Sequence, residues 1–476
     1  MAAWREHEIE RTIGGTLDGD AMTEDSVRSL VRSFGHETEL IDFKSKLAFE
    51  DKNANPTWNA RQERAKDITM FANARGGLIV FGVEDESKEP DVEKRPQPFD
   101  SGDRHDLIAA FRKDVGDFAR PIPKYDMFPV PAANPGTFYL VAVIPPSPQA
   151  PHAVIMQKGD NRRALAYFVR TDGTSHSREL EEYEVADRYR TRFRDAEERR
   201  QHADEVWSRG VERLKDGAEG LWLAVSVVPD VPGDSTLTRD ARREISSWED
   251  RQVFPEGVVG LLTPSNDSHF PAPGAVEFTQ VGKTDDSETT PIAALTYRAL
   301  HVDGSGFAAV RIAEHLADDS VTIVTEDLLI DALTACIPHL MAWTTDRIGQ
   351  WGNATVSAAL VDSAGTHSGF TKAVRIKDGG NGKVFGTRSA KRSRRPVAAA
   401  DLAEAAAMQD KLTVVYSIAA ELVQMFGLTE PALLTESGEI RRIPVLNERL
   451  RAVKEWAAHH RVPLDEASWP DSITDR

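Results

Sequence analysis

Leu78–Ser87, LIVFGVEDES, decides the fold of the first half of this chain. The apolar residues stand side by side without alternation, which predicts a strand, Leu78–Val83, covered on both faces. Glu84, Asp85 and Glu86 follow at its C-terminal end. Just upstream, Gly76-Gly77 marks a tight turn, since glycine tolerates positive φ, and Gln62–Ala74 reads as the helix that enters it. Further back, Glu37-Thr-Glu-Leu-Ile-Asp-Phe-Lys44 ends in a short alternating strand, Leu40–Lys44. Its Ile41 and Phe43 point to the core, while Asp42 and Lys44 share the other, exposed face. If the two strands are neighbours, Glu37, Asp42 and Asp85 converge at one edge of the sheet. Glu37 reaches it through the turn that Gly35 and His36 permit. Converging carboxylates are how proteins hold divalent cations for phosphodiester chemistry. The competing reading is plain: strand ends commonly carry solvated acids.

Outward from this centre, helix Asp106–Phe118, strands Thr137–Ile144 and Leu165–Arg170 and a closing helix from Glu179 complete an α/β or α+β domain over 34–195. Residues 1–33 form a helical lead-in with one amphipathic helix, Ser26–Phe34. Residues 196–218 belong to a charged, solvated linker helix. A second α+β domain follows over 219–365, with strands Leu221–Val227, Gly274–Val281, Thr296–Val302 and Ala308–Ala313 and helix Glu326–Ile348. Residues 366–400 are a Gly-rich and then basic loop. Residues 401–476 are a C-terminal helical region containing Leu402–Phe426. There is no internal repeat of solenoid period.

The 476 residues are 40% hydrophobic and 28% charged, which suits a soluble chain of two or three domains. No apolar run approaches bilayer-spanning length, and the charged MAAWREHEIER is unlike a signal peptide, so the expectation is a cytoplasmic protein with no membrane partner. Cys336 is the sole cysteine, which excludes a disulfide framework and a cysteine-rich zinc site. The net charge of −18 argues against a surface that coats nucleic acid throughout. It is unevenly spread: residues 36–195 hold 24 Lys and Arg against 27 Asp and Glu, a balance of −3, leaving −15 for the rest. The basic residues of that domain cluster late, with Arg162, Arg163 and Arg170 flanking or ending a strand, and are the candidates for phosphate contact. The acidic C-terminal part is expected to add little to nucleic-acid affinity. Lys391-Arg-Ser-Arg-Arg395 could touch phosphate, but such runs are more often solvated loops. Trp58, Trp222 and Trp343 read as core or rim residues rather than base-stacking platforms. Gly379-Gly-Asn-Gly-Lys383 has neither the spacing nor the following Ser/Thr of a P-loop, so no ATP is expected.

Gly35-His-Glu37…Asp42-Phe-Lys44, together with Ile68-Thr-Met-Phe71-Ala-Asn73-Ala-Arg-Gly76-Gly77…Gly82-Val-Glu-Asp85, closely resembles the Schlafen/AlbA-type domain. Tyr167-Phe-Val-Arg170 resembles the end of that domain, so the likeness covers roughly 34–190. The resemblance implies one of two activities. In the Schlafen nucleases three acids form a metal-dependent RNA-cleaving site, and the matching positions here are Glu37, Asp42 and Asp85, with Mg2+ or Mn2+ as the implied ions and Lys44 as a phosphate or transition-state contact. Structured, tRNA-like RNA would be the substrate, cut in anti-phage defence or a stress response, with the C-terminal part as sensor. The other implied role is a DNA-binding regulator with no catalysis. Asp42 departs from the usual Glu and is one methylene shorter. The zinc set of vertebrate Schlafens is missing, and only one lobe is present where those proteins fuse two, which implies a homodimer.

Overall fold

The computed structural model describes residues 6–35, 38–45, 58–99, 104–157, 163–170, 177–216, 219–233, 236–250, 267–280, 296–313, 321–350, 352–365, 369–377, 388–402, 405, 407–442 and 450–468. It is an α+β protein that divides into two compact units, Met1–Glu198 and Arg199–Arg476.

In the first unit the order is α1 (His7–Ile13), α2 (Glu24–Phe34), β1 (Ile41–Lys44), α3 (Trp58–Ala72), β2 (Gly77–Phe81), α4 (Arg104–Phe118), β3 (Ala119–Arg120), β4 (Asp126–Pro131), β5 (Phe138–Ile144), β6 (Ala153–Gln157), β7 (Arg163–Arg170), β8 (Ser177–Glu179) and the long α5 (Glu182–Lys215). One sheet has the order β1-β2-β5-β4 and a second β3-β6-β7-β8. The strand read from LIVF lies between β1 and β5, parallel to the first and antiparallel to the second. Its five residues are all buried, as its uninterrupted apolar run requires. Ile79 and Phe81 join Leu140, Ala142 and Ile144 of β5 in a core with Ile68 and Phe71 of α3 and Phe111 and Val115 of α4. The lead-in belongs to this unit. Thr23 caps α2 reciprocally with Ser26, and Val27, Leu30 and Val31 are fully buried. Glu24 accepts from the Ala133 N–H, which ties α2 to the end of β4. Strand β4, DMFPVP, was not legible because Pro129 and Pro131 demote a run; it is an edge strand, where proline is tolerated.

The second unit takes in the later half of α5 and then β9 (Leu221–Pro229), α6 (Arg239–Asp250), β10 (Asp267–Ala272), β11 (Ala275–Gln280), β12 (Thr296–His301), β13 (Gly306–Ala313), β14 (Val321–Thr325), α7 (Glu326–Ala342), β15 (Asn353–Asp362), β16 (Gly369–Lys377), β17 (Ala390–Arg392), β18 (Val397–Asp401), α8 (Met408–Gln424) and α9 (Leu450–His460). A seven-stranded antiparallel sheet runs β10-β11-β12-β13-β9-β15-β18. On β9, Leu221, Leu223, Val225 and Val227 face α7 and α8, while Trp222, Ala224 and Val228 face α5, as period-two alternation dictates. The helix expected as a solvated linker therefore packs along its second half, with Ala203, Val206, Val211 and Leu214 buried against that sheet. Gly210 permits the approach, since a Cβ there would stand 2.3 Å from the Phe307 ring. The segments read as separate regions at 219–365 and 401–476 share one core, which extends from Leu221 to Val462. Trp222 and Trp343 lie in the core, whereas the Trp58 side chain falls outside the described residues. Glu326–Arg347 is 22 residues long and apolar enough to cross a membrane, a run the sequence reading passed over; 89% of its most apolar window is buried, so it is a core helix of this unit.

Candidate functional site

The motif residues of the first unit first build the turn that sets β1 beside β2. Gly76 has φ +83, and a Cβ on it would meet the Ile144 carbonyl oxygen at 2.7 Å. At Gly77 a Cβ would fall 2.2 Å from the Phe71 ring, so this glycine serves close approach rather than a left-handed turn. Asn73, read from sequence as a turn residue, is a buried clasp. Its Nδ2 donates to the carbonyls of His152 (2.9 Å) and Phe168 (2.8 Å), and its Oδ1 accepts from the His152 N–H at 2.6 Å. These bonds pin the end of α3 to the second sheet. His152 is itself enclosed, and burial pushes its imidazole down to about 4.

Asp42 pairs across the sheet with Ile79 and Lys44 with Phe81, so the neighbouring strands expected from the spacing are present. The exposed face expected for Asp42 is not. Its side chain is fully buried, because α3 and β7 cover that side of β1. Its Oδ2 lies 3.1 Å from Lys44 Nζ and 3.2 Å from Arg170 Nη1. Arg170 also donates to the Thr38 and Ile41 carbonyls and stacks over the Phe71 ring at 4.9 Å. Arg170 is only 3% exposed, so its assignment as a phosphate contact is corrected: the guanidinium organises the turn before β1 from inside the protein. Arg163 is exposed at the start of β7, and Arg162 lies outside the described residues. Among the other late arginines, Arg178 pairs with Glu184 and Arg188 donates to the Asn73 carbonyl.

Asp67 of α3 completes this cluster, its Oδ1 3.8 Å from Lys44 Nζ. Burial, opposed by Lys44 and reinforced by Asp42, pushes its carboxyl up to about 7. Sequence spacing could not reveal it, since 25 positions separate Asp67 from Asp42; the only available signal was an acid one turn before Phe71 on the helix entering the glycine turn.

Asp85 stands in the turn after β2. Ser87, through its hydroxyl and its N–H at 2.7 Å, holds this carboxylate below its ordinary range. The neighbours of Asp85 are Ser87, Lys88 and Arg95, those of Asp42 are Lys44, Asp67 and Arg170, and the two sets share no residue. Glu37 lies outside the described residues. Arg95, buried against the Phe43 ring, donates to the Glu84 carbonyl at 2.9 Å and also to the Gly35 carbonyl. One guanidinium thus joins the backbone just before Asp85 to the backbone two residues before Glu37. Among the described residues no three His, Cys, Asp or Glu side chains are grouped to hold a metal ion. Asp42 is enclosed and already neutralised by two cations.

These features define an α+β domain whose signature residues are a glycine turn, an Asn clasp and a buried Asp–Lys–Arg cluster. Residues 37–179 match the family described as Schlafen, AlbA_2, so the chain carries a Schlafen/AlbA-type domain, which supports a nucleic-acid-related function. No curated protein matches the chain. Among solved structures it is similar to the DIP2311 protein from Corynebacterium diphtheriae, at 15% identity over 39% of this chain and 32% of that one, with a TM-score of 0.23. The chain thus spans about a third of the length of that protein.

Proposed function

We propose that the protein binds nucleic acid and that Asp42 positions the domain rather than ligating a metal. The observation that carries this reading is the Asp42 carboxylate, fully buried and held between Lys44 and Arg170. A carboxylate enclosed with two cations has little negative charge left to offer a divalent ion. The family match of residues 37–179 supports nucleic acid as the ligand class.

A second reading, metal-dependent cleavage of structured RNA at Glu37 and Asp85, is favoured by Arg95, which links the backbones leading into both acids. In that reading Lys44 contacts phosphate, Glu37 and Asp85 would hold a Mg2+ or Mn2+ ion whose Lewis acidity would serve the cleavage, and a defence role with dimer formation follows the resemblance. One experiment separates the two. Purified protein is incubated with labelled tRNA and with duplex DNA, with Mn2+ or with EDTA, and both retention and cleavage are measured. Retention without cleavage in Mn2+ supports binding. Cleavage that EDTA abolishes and that Asp85→Ala removes would establish the nuclease, and failure to retain either probe would overturn the first reading.

A further inference from the structure

The cations of the first unit are largely engaged within the protein. Arg61 and Arg64 hold Asp114, Arg32 holds Glu93, Arg178 holds Glu184 and Arg170 holds Asp42. A nucleic-acid-binding chain of net charge −18 needs cations presented elsewhere. The described residues 369–377 and 388–395 supply them: eight Lys and Arg and no acid.

The fold turns this stretch into a surface. Strands β14, β16 and β17 form a small sheet, with β14 parallel and β17 antiparallel to β16. Val374 and Ile376 face the core of the second unit, so alternation turns Arg375 and Lys377 outward. Arg375 donates to Ser389 at 3.0 Å, which fixes it on that outer face, and the exposed Ile323 of β14 stands opposite it in register. Past the sheet edge, Arg392 and Arg394 line an open groove of about 520 Å³ with Gln424 of α8 and Met425 just beyond it, and Glu421 is the acid among its described lining residues. Lys391, Arg392 and Arg394 are exposed, and none forms an ion pair with a described acid. Elsewhere in the unit Arg213 pairs with Glu277, Arg347 with Glu244 and Arg441 with Glu430, and Arg395 of the same run pairs with Asp204.

We infer that this basic sheet edge and groove form a second nucleic-acid-binding surface, which holds the phosphodiester backbone of a single strand. The inference rests on the nucleic-acid reading of the first unit and reverses the expectation that the acidic C-terminal part adds little to the grip. A long polyanion fits cations spaced along a strand and continued into an open groove, and the apolar Ile323 offers a surface for a sugar or base edge. Glu421 sits where it opposes the bound phosphates.

The test is binding of the full chain to labelled 20-nucleotide single-stranded RNA and DNA, by anisotropy across a salt series. The triple variant Lys391→Gln, Arg392→Gln, Arg394→Gln should flatten the slope of log affinity against log salt by about two units and weaken binding roughly 100-fold at 0.1 M salt. Glu421→Gln should tighten binding several-fold. The charge-retaining exchange Lys391→Arg, Arg392→Lys, Arg394→Lys should restore the slope. All three variants should melt as the parent does, since the altered side chains are exposed. Equal effects on RNA and DNA identify the shared phosphate backbone as the ligand, and an effect on one alone identifies that nucleic acid. Parent protein that binds while the triple variant keeps its slope overturns this inference and leaves the first reading intact. Failure of the parent to bind any probe overturns both. A triple variant that changes oligomeric state in light scattering but not its slope assigns the patch to a second copy of the chain and likewise overturns the inference.

Discussion

Each unit encloses a carboxylate against two basic side chains, and the two enclosures differ in a way that separates architecture from site. In the first, Asp42, Lys44 and Arg170 come from β1 and β7, and Lys44 keeps about a third of its side chain in solvent. In the second, Glu249 of α6 lies 2.7 Å from Arg298 Nε of β12 and 3.2 Å from His339 Nε2 of α7, and all three are enclosed. Phe278 stacks under Arg298 at 5.6 Å, and Trp248 lies 5.2 Å from the His339 ring. The Glu249 cluster has no solvent side and joins three elements of one core, which fits a structural role. The Asp42 cluster opens through Lys44 toward solvent and includes Asp67, so its protonation and its cation can respond to what binds nearby.

The largest expected effect breaks the enclosed cluster. Glu249→Ala leaves Arg298 buried without its carboxylate and should cost about 3–5 kcal/mol, read from denaturant unfolding. A loss under 1 kcal/mol would show that Arg298 finds other partners and that the contrast is overdrawn. Asp42→Asn should cost less, about 3 kcal/mol, because Arg170 retains the Thr38 and Ile41 carbonyls and Lys44 can turn to water. A larger loss than for Glu249→Ala inverts the comparison.

The pH dependences should run in opposite directions. Burial resists the charge on Glu249, but His339 and Arg298 prevail and hold it at about 2, below its ordinary 4.5. Its contribution is therefore complete above pH 4.5 and is lost as pH falls toward 2. Asp67 is raised from 3.8 to about 7, so the folded state binds its proton more tightly than the unfolded chain. Stability should thus fall as pH rises from 3.8 to about 7 and level off above. Asp67→Asn should remove that decline in a series of melts from pH 4 to 8, and an unchanged decline would show that Asp67 is not its source. The smallest effect sharpens the contrast from outside both clusters: Asp85→Ala, in a turn, should shift stability by less than about 0.5 kcal/mol. A loss above 1 kcal/mol would show that the Ser87 bonds anchor the corner where Arg95 joins two loops.

Local order was legible in the residues. LIVF without alternation specified a strand buried on both faces, and the glycine pair specified the turn before it. Helices α2 and α8 carried apolar residues at helical spacing. Strands β4 and β15 lacked such a signature, the one because of its prolines and the other because NATVSAALVD is rich in alanine; β4 is held by β5, the next strand in the chain, and β15 by β9, more than a hundred residues earlier. The candidate site divided in the same way. Spacing two apart placed Asp42 and Lys44 on one side of a strand, and that was correct. Whether that side met water was beyond the reach of spacing, because α3 and the strand ending at Arg170 decide it, the latter 128 residues further on. The sequence by itself determined which elements form and which acids could meet. Only the tertiary structure decided that Asp42 is enclosed with Lys44, Asp67 and Arg170, that Arg298 belongs to Glu249, and that the basic run at 388–395 is held at the edge of a sheet. The physical reason is that burial sets the strength and partner of a charge, and burial is a property of what packs over a residue rather than of the residues beside it in the chain.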